Sequence, residues 1–354
     1  MGWTSAFFGR LMKSDSSSTS ATPLFAVDST ELVLTVDVPE LRARELNKAT
    51  RSFSSARLIG EGSSIHNHGT VVYRATLPDG TAAAAKVLGR PPSSGRWGAS
   101  EDAFLRQQVS LLSTLRHDNL VRLLGYTIAP DLHVLLYEFA TVSTLHDVLH
   151  GPRGEPQPQP QPGSGSRPAV TLSWEQRTRI ALDAARGLQY LHEAAAVTHW
   201  GINSTNVLLF QGLRAKIADY DVFEQGDGDM RACNRRATPI NVACVPPEYV
   251  TRGSRVARKA DVYGFGVVLL ELLTGRKSFD ATLGPSHSML VHWAIPLLRQ
   301  GGIEQWIDPK LGTQYPPAEA LKLARIAQQC LHDHARSRPS IGVIAQMISD
   351  IVRD

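Results

Sequence analysis

The order of two apolar patterns constrains the fold of this chain most strongly. Strand-length apolar runs fill most of the first part, whereas long helical patterns fill the part after residue 170. The strand-like segments are LIGEG, GTVVYRATL, TAAAAKVL, VRLLGYTI and HVLLYEF, with LPDG (77–80) as the turn between the second and the third. Strands followed by helices predict an α+β fold, in which a small β-rich lobe is joined to a larger α-rich lobe.

Three segments show the apolar spacing of helices. Residues 100–115 place most of their apolar side chains along one face, and residues 174–194 form a long amphipathic pattern. The run GFGVVLLELLTG (264–275) is interrupted by Glu271 and is shorter than the roughly 18 residues of a membrane span. We therefore expect residues 264–275 to form a buried helix.

Two polar regions divide the chain. Residues 1–52 are predicted to be an N-terminal tail and linker, and residues 151–168, which are rich in Pro, Gln and Gly, a disordered insert. Residues 1–13 carry apolar side chains at helical spacing beside Arg10 and Lys13, which leaves open an interfacial membrane helix or an unstructured end. Ala6 stands where a myristoylation motif requires Ser or Thr.

Composition excludes several function classes. The chain of 354 residues has a formal net charge of +4, which does not suggest a nucleic-acid partner. Its three cysteines provide neither a disulfide framework nor metal-ligand spacing, so we expect an intracellular protein. His66 and His68 flank Asn67 in a polar loop, but a metal site there would lack a third ligand.

A series of polar motifs follows a fixed order along the two predicted lobes. It comprises GEG (60–62), Lys86, the loop THWGINSTNVLLF (198–210), Asp219 in IADYD, PPEY (246–249), Asp261 and Arg338 in RSRPS. Each motif alone is weakly specific, whereas their shared order is specific. Over residues 53–352 this series resembles the eukaryotic protein kinases. SFSSARLIGEGSS, ARGLQYLHEA and DVYGFGVVLLELLTGRKSFD are similar to plant receptor-like cytoplasmic kinases of the Pto-interacting-kinase type.

The resemblance implies a bilobal kinase fold and a nucleotide site. The N-lobe would cover about residues 53–138 and the C-lobe about residues 139–352. ATP and Mg²⁺ are the implied cofactors, with Lys86 at the α- and β-phosphates and Asn206 and Asp219 as metal ligands. The implied ATP-binding residues are Ile59, Gly60, Gly62, Val71, Ala84, Lys86 and Glu138.

Four departures from the family pattern argue against efficient catalysis. Gly201 replaces the Asp that would accept the proton of the substrate hydroxyl, and Asn203 replaces a Lys near the γ-phosphate. The glycine loop between Gly62 and Gly69 is stretched by SIHNH, and Ile240-Asn241 replaces the Gly-Thr pair of the substrate groove. Gln108 and Asp221 also differ from the common pattern, but a neutral Gln108 can still hydrogen-bond Lys86, less strongly than a carboxylate would.

Further roles are implied for residues of the C-lobe. Glu248 and Arg338 are expected to form a buried ion pair, Asp261 to accept backbone hydrogen bonds from the 199–203 loop, and Tyr220 to stack with His199 and Leu112 between the lobes. Thr238 follows two arginines and is the candidate regulatory phosphorylation site.

The leading hypothesis is a pseudokinase that binds ATP and regulates or scaffolds partner kinases or other signalling proteins. We expect it in the cytoplasm, and peripheral contact with the plasma membrane through residues 1–13 stays open. A weakly active Ser/Thr kinase is the alternative, and a scaffold with an empty cleft also stays open. A small-molecule phosphotransferase is disfavoured because PPEY, Asp261 and Arg338 occur together.

Overall fold

The computed structural model describes residues 36–61, 70–89, 98–151, 171–220, 239–248, 257–284, 287–300 and 302–353. Eight β-strands lie within these ranges: β1 Leu58–Glu61, β2 Val71–Thr76, β3 Ala82–Val87, β4 Leu123–Ala129, β5 Leu132–Glu138, β6 Ser143–Thr144, β7 Val207–Leu209 and β8 Ala215–Ile217. The α-helices are α1 Ala43–Thr50, α2 Ala99–Thr114, α3 Leu145–His150, α4 Trp174–Gln189, α5 Pro239–Ala243, α6 Ala257–Thr274, α7 Leu290–Gln300, α8 Pro317–Cys330 and α9 Ile341–Arg353.

The first five strands form one antiparallel sheet in the order β1-β2-β3-β5-β4. The turn between β2 and β3 closes where Asp79 Oδ1 accepts a hydrogen bond from Thr81 N at 2.9 Å. Gly80 has φ 85°, a left-handed conformation that glycine adopts without steric cost. This turn fixes the register that pairs Val72 with Lys86.

Helix α1 covers the outer face of this sheet. Leu46 is completely buried, and it packs in one cluster with the alanines of β2 and β3, Ala75, Ala83 and Ala85. Alanine side chains are short, so the helix can lie close to the strands. The folded unit therefore begins at Val36. The prediction of a linker through residue 52 is wrong for residues 36–52. Helix α1 is mainly polar and buries only two apolar residues, so its sequence gave little indication that it packs on the sheet.

Helix α6 lies at the centre of the C-lobe core. Most of its residues from Asp261 to Thr274 are fully buried, including Phe265 at 0% exposure, which confirms the predicted buried helix. Helix α4 begins with a capping box from Ser173 and Gln176 and continues into a π-helical turn at Tyr190–Ala194. The β-rich N-lobe and the helical C-lobe confirm the predicted α+β fold.

No helix in the described ranges combines the length and the apolar character that crossing a membrane requires. The predicted membrane-contacting tail (1–13) and the disordered insert (151–168, of which only Gly151 is described) lie outside the described residues.

Candidate functional site

Lys86 and Asp219 form an ion pair in the cleft between the lobes. Lys86 is the second-last residue of β3, and Asp219 lies two residues after the end of β8. Their side chains are 10% and 17% exposed, so solvent screens the pair only weakly. Asp219 has φ 60°, a left-handed conformation that Asp tolerates better than most residues. The structure thus brings together two of the residues that the sequence assigned to phosphate and metal binding.

Strand register decides which β2 side chain shares the face of Lys86. Directly paired residues lie on the same face of a sheet, and successive residues alternate. Val72 pairs with Lys86 and Gly60 pairs with Val72, whereas Val71 pairs with Val87. By this register Val72 lies on the face of Lys86, and Val71, the residue that the sequence assigned to the nucleotide, lies on the outer face.

Two other predicted contacts, Ala84 and Ile59, lie on β3 and β1. Ala84 is two residues before Lys86 on β3 and shares its face. Ile59 lies at an irregularity between Leu58 and Gly60 in the β1–β2 pairing and is 51% exposed. The sheet therefore offers an apolar surface next to the lysine–aspartate pair.

Glu138 lies at the end of β5, where the chain leaves the sheet. Its carboxylate accepts hydrogen bonds from Lys216 Nζ at 2.7 and 2.8 Å and from Arg122 N at 2.8 Å. Lys216 belongs to β8 of the C-lobe, so the side chain of Glu138 connects the two lobes. Sequence analysis missed this role because Lys216 is far from Glu138 along the chain.

The loop that begins at His199 is anchored on α6. Asp261 accepts hydrogen bonds from His199 N at 2.7 Å, from Trp200 N at 2.8 Å and from His192 Nε2 at 2.8 Å. Trp200 has φ 65°, a strained conformation for a bulky residue. Gly264 allows the close approach, since a Cβ there would lie 2.8 Å from the carbonyl oxygen of Ile202. The predicted role of Asp261 is confirmed.

Gly201 occupies the predicted base position and contributes only backbone groups. Its N–H donates to His199 Nδ1 at 3.3 Å, and its carbonyl accepts from Asn203 Nδ2 at 3.0 Å and from Asn206 Nδ2 at 2.8 Å. The amide nitrogen of Asn206 is therefore oriented toward the loop backbone. No side chain at Gly201 can accept a proton.

Asn203 is part of the loop packing. It is 1% exposed, and its Oδ1 accepts hydrogen bonds from Thr205 N at 2.8 Å and Thr205 Oγ1 at 2.6 Å. An amide carries no positive charge, and this one is committed to loop contacts. In place of the Lys that faces the phosphate in the family, this chain has an Asn203 that stabilises the loop.

Gln108 does not replace the glutamate that pairs with the β3 lysine in the family. Gln108 lies on α2 and is 7% exposed, but its Oε1 has no hydrogen-bond partner in the described chain. Lysine can only donate, so a bond from Lys86 to Gln108 is absent. The bond that a glutamine could offer here is not formed, and Lys86 is paired with Asp219.

His199 and Tyr220 lie between the lobes, as predicted. Their rings meet edge to face with centroids 6.5 Å apart, and Tyr220 Oη donates to the Val121 carbonyl at 2.8 Å. Leu112 is buried in the same core cluster. Burial raises the pKa of Tyr220 well above its usual value and lowers the pKa of His199, and so favours the neutral imidazole.

Glu248 and Arg338 form the predicted buried ion pair. Arg338 Nη1 and Nη2 donate to the two carboxylate oxygens of Glu248 at 2.6 and 2.8 Å, and Arg338 Nη1 also donates to the Lys259 carbonyl at 2.9 Å. The guanidinium side chain is 0% exposed. This bidentate pair fixes the segment that contains Glu248 against the segment before α9.

Several predicted residues lie outside the described ranges. They are Gly62, the histidines at 66 and 68, Asp221 and the candidate phosphorylation site Thr238.

A five-stranded lobe above a helical lobe, with a lysine–aspartate pair between them, defines the protein-kinase class. The chain belongs to the protein tyrosine and serine/threonine kinase family, whose model matches residues 56–348. It is similar to PTI1-like tyrosine-protein kinase 1 of Arabidopsis thaliana, with 41% identity over 322 residues, covering 90% of this chain and 84% of the relative. PTI1-like tyrosine-protein kinase 3 of the same plant is 43% identical, and the match covers 90% of this chain and 74% of that relative. The predicted family is confirmed.

Solved structures share the fold. The pseudokinase domain of BIR2, described as an immune regulator of the RLK/Pelle family, aligns with a TM-score of 0.66 and 30% identity, covering 88% of this chain and 86% of that one. The pseudokinase DRIK1, bound to ENMD-2076, aligns with a TM-score of 0.64 at 24% identity, covering 91% and 99%, and supports the fold alone.

Proposed function

We propose that this protein is a pseudokinase that binds ATP with Mg²⁺ in the cleft and regulates or scaffolds partner kinases. The single observation that carries the proposal is Gly201. At the position of the catalytic base, the chain supplies one N–H and one carbonyl, both engaged within the loop. A binding role needs the cleft but does not need the base.

The polar residues of the cleft support nucleotide binding. Lys86 is the cation that would pair with the α- and β-phosphates, releasing its contact with Asp219. Asn206 and Asp219 fit Mg²⁺, because amide and carboxylate oxygens are its preferred ligands and Asn206 keeps its amide nitrogen toward Gly201. When bound, Mg²⁺ would neutralise phosphate charge. Ala84 and Val72 provide the apolar surface for the base.

The missing base predicts a large loss of transfer rate. General-base catalysis contributes about 10²–10⁴-fold, and protein kinases turn over about 1–100 times per second, so about 10⁻⁴ to 1 per second would remain. Asn203 is buried and neutral, so the positive charge that a Lys at this position would place near the transferred phosphoryl group is also missing. Efficient phosphorylation of a substrate is therefore not expected.

A weakly active kinase that labels itself or a docked protein is the second candidate. The relatives named tyrosine-protein kinases at 41% and 43% identity favour it, because they share most of the chain. Phosphoryl transfer depends mainly on positioning and charge neutralisation, and the Lys86, Asn206 and Asp219 side chains that supply these are present.

Transfer of the γ-phosphate separates the two candidates. We would incubate the purified full chain with labelled Mg-ATP beside Lys86→Met and Gly201→Asp. The pseudokinase proposal expects no labelling of the natural protein and a gain of labelling in Gly201→Asp. Self-labelling of the natural protein that Lys86→Met abolishes would instead establish the weak kinase.

Nucleotide binding is tested by thermal stability. Mg-ATP at 100 times its Kd should stabilise the protein by about 2.7 kcal/mol. Val72→Ala removes two methyl groups from the cleft face and should weaken ATP binding, whereas Val71→Ala makes the same change on the outer face and serves as the matched control. Absence of any stabilisation at millimolar Mg-ATP would favour an empty-cleft scaffold.

Partner kinases and a cytoplasmic location complete the proposal. The regulatory description of the BIR2 pseudokinase domain supports a role through binding. Proximity labelling with the natural protein should recover kinases, and recovery of no kinase would contradict this part of the proposal. Deleting residues 1–20 tests peripheral contact with the plasma membrane, and an unchanged distribution of a fluorescent fusion would exclude it.

A further inference from the structure

Three side chains of types that can ligate a metal meet in the C-lobe. His146 and His150 lie one helical turn apart on α3, and Glu271 lies on α6. One ligand atom from each lies within 4.8 Å of the other two. All three residues are buried, with exposures of 3%, 5% and 0%. His150 Nε2 is 3.2 Å from Glu271 Oε1, and the two imidazole rings meet at 4.9 Å.

The carboxylate of Glu271 is incompletely satisfied by the surrounding protein. Its Oε1 accepts hydrogen bonds from Ser204 Oγ at 3.0 Å and from Ser278 N at 3.2 Å. Its Oε2 is buried and has no partner in the described chain, and the same is true of Ser278 Oγ, in a residue that contacts this carboxylate. Leaving a buried carboxylate oxygen without a partner is costly. One unpartnered oxygen thus belongs to the carboxylate that His150 contacts, and the other to the serine that donates to that carboxylate, which indicates a site for a cation.

We infer that His146, His150 and Glu271 bind a zinc ion. Imidazole nitrogen and carboxylate oxygen are zinc ligands, whereas Mg²⁺ and Ca²⁺ prefer oxygen alone. Zinc–ligand bonds of about 2.0–2.2 Å place tetrahedral ligands about 3.3–3.5 Å apart, so the three side chains must close by about 1 Å. The hydroxyl of Ser278 or a water would complete the tetrahedron.

The bound ion would be structural. It would join α3, the first helix of the C-lobe after the sheet, to the central helix α6, and it would neutralise the charge of Glu271. A surface pocket of about 260 Å³ reaches His150, but Arg276, Lys277 and Lys310 also line it. These positive charges oppose the entry of a cation, so we expect slow exchange of zinc with solvent.

Zinc should therefore be measured in the full-length protein as purified and then after prolonged chelation and reloading. We expect about one zinc per chain by mass spectrometry, and X-ray absorption should show two imidazole ligands and one carboxylate oxygen. Zinc far below one per chain, with no uptake of Zn²⁺ or Co²⁺ by the folded chelated protein, would overturn the inference. This measurement does not depend on nucleotide binding.

Glu271→Gln is the informative variant, because its amide oxygen can keep the hydrogen bonds from Ser204 and Ser278. Loss of a direct ligand should weaken zinc binding beyond the roughly 10–100-fold effect of changing a residue that only supports a ligand. The control is His332→Asn with His334→Asn, an exposed pair with rings 5.8 Å apart. Zinc retained in Glu271→Gln but lost in the control would assign the ion to the surface pair and refute the site. If Glu271→Gln fails to fold, X-ray absorption of the natural protein decides.

Discussion

Replacing Asp261 by Asn should destabilise the loop that contains Gly201. Asp261 is 2% exposed and accepts three hydrogen bonds, two of them from the backbone of His199 and Trp200. Asn keeps the shape but turns one acceptor into a donor. At least one bond to a charged acceptor is lost, which costs about 1.5–3 kcal/mol, and the new amide group faces an N–H, which adds about 1–3 kcal/mol.

Strain in the same loop offsets part of this loss. Trp200 has φ 65°, and relaxing such a conformation returns about 1–2 kcal/mol. We therefore expect Asp261→Asn to lower the free energy of unfolding by about 0.5–5 kcal/mol, with a central value of about 3 kcal/mol. Urea titration followed by circular dichroism at 25 °C measures this directly.

The matched control is Asp350→Asn. Asp350 is exposed and receives one bond, from Gln346 Nε2 at 2.7 Å. Surface changes of this kind usually stay within about 0.5 kcal/mol. If Asp261→Asn costs no more than this control, about 0.5 kcal/mol, the loop does not depend on the Asp261 carboxylate and the argument fails.

Three further changes test the C-lobe. Arg338→Met removes both guanidinium hydrogen bonds to the Glu248 carboxylate and should lower the free energy of unfolding in urea by about 3–5 kcal/mol, and a loss below about 1 kcal/mol would mean that the pair contributes little. Gly264→Ala places a Cβ 2.8 Å from the carbonyl oxygen of Ile202, so overpacking of about 1–3 kcal/mol should exceed the helix-propensity gain of about 1 kcal/mol. Burial lowers the pKa of His199 in the folded protein, so below about pH 6.5 the unfolded chain binds a proton that the folded protein does not. The free energy of unfolding is therefore unaffected by this group above about pH 6.5 and falls as the pH drops toward the folded pKa. His199→Phe should flatten this dependence in unfolding measured from pH 7.5 to 5.5, and an unchanged slope would contradict the assignment.

Local patterns were sufficient to predict the lobes and their anchoring residues. Alternating or continuous apolar runs gave the strands, and helical spacing gave the long helices, because burial imposes these periods directly. The Glu248–Arg338 pair and the Asp261 contacts followed from motif order in the family. Each of these side chains is committed to partners inside the C-lobe, so its position tolerates little variation in geometry.

Long-range pairing could not be predicted in the same way. Val71 and Val72 are chemically identical neighbours, and only the pairing of β2 with β3 decides which one faces Lys86. Helix α1 is mainly polar, and its burial depends on alanines at distant positions of the sheet. The contact between His150 and Glu271 joins residues 121 positions apart, and no motif relates them.

Loss of the base at Gly201 leaves the architecture of its loop intact. The loop is held through backbone groups: Asp261 binds two N–H groups, and the carbonyl of Gly201 binds Asn206. None of these bonds requires a side chain at position 201. Gly201 is also not among the glycines with positive φ in the described part of the chain, so its backbone is not in the left-handed region that disfavours a side chain. Gly201→Asp can therefore restore an acceptor without rebuilding the loop, and its labelling by ATP would report on the chemistry of the site rather than on refolding.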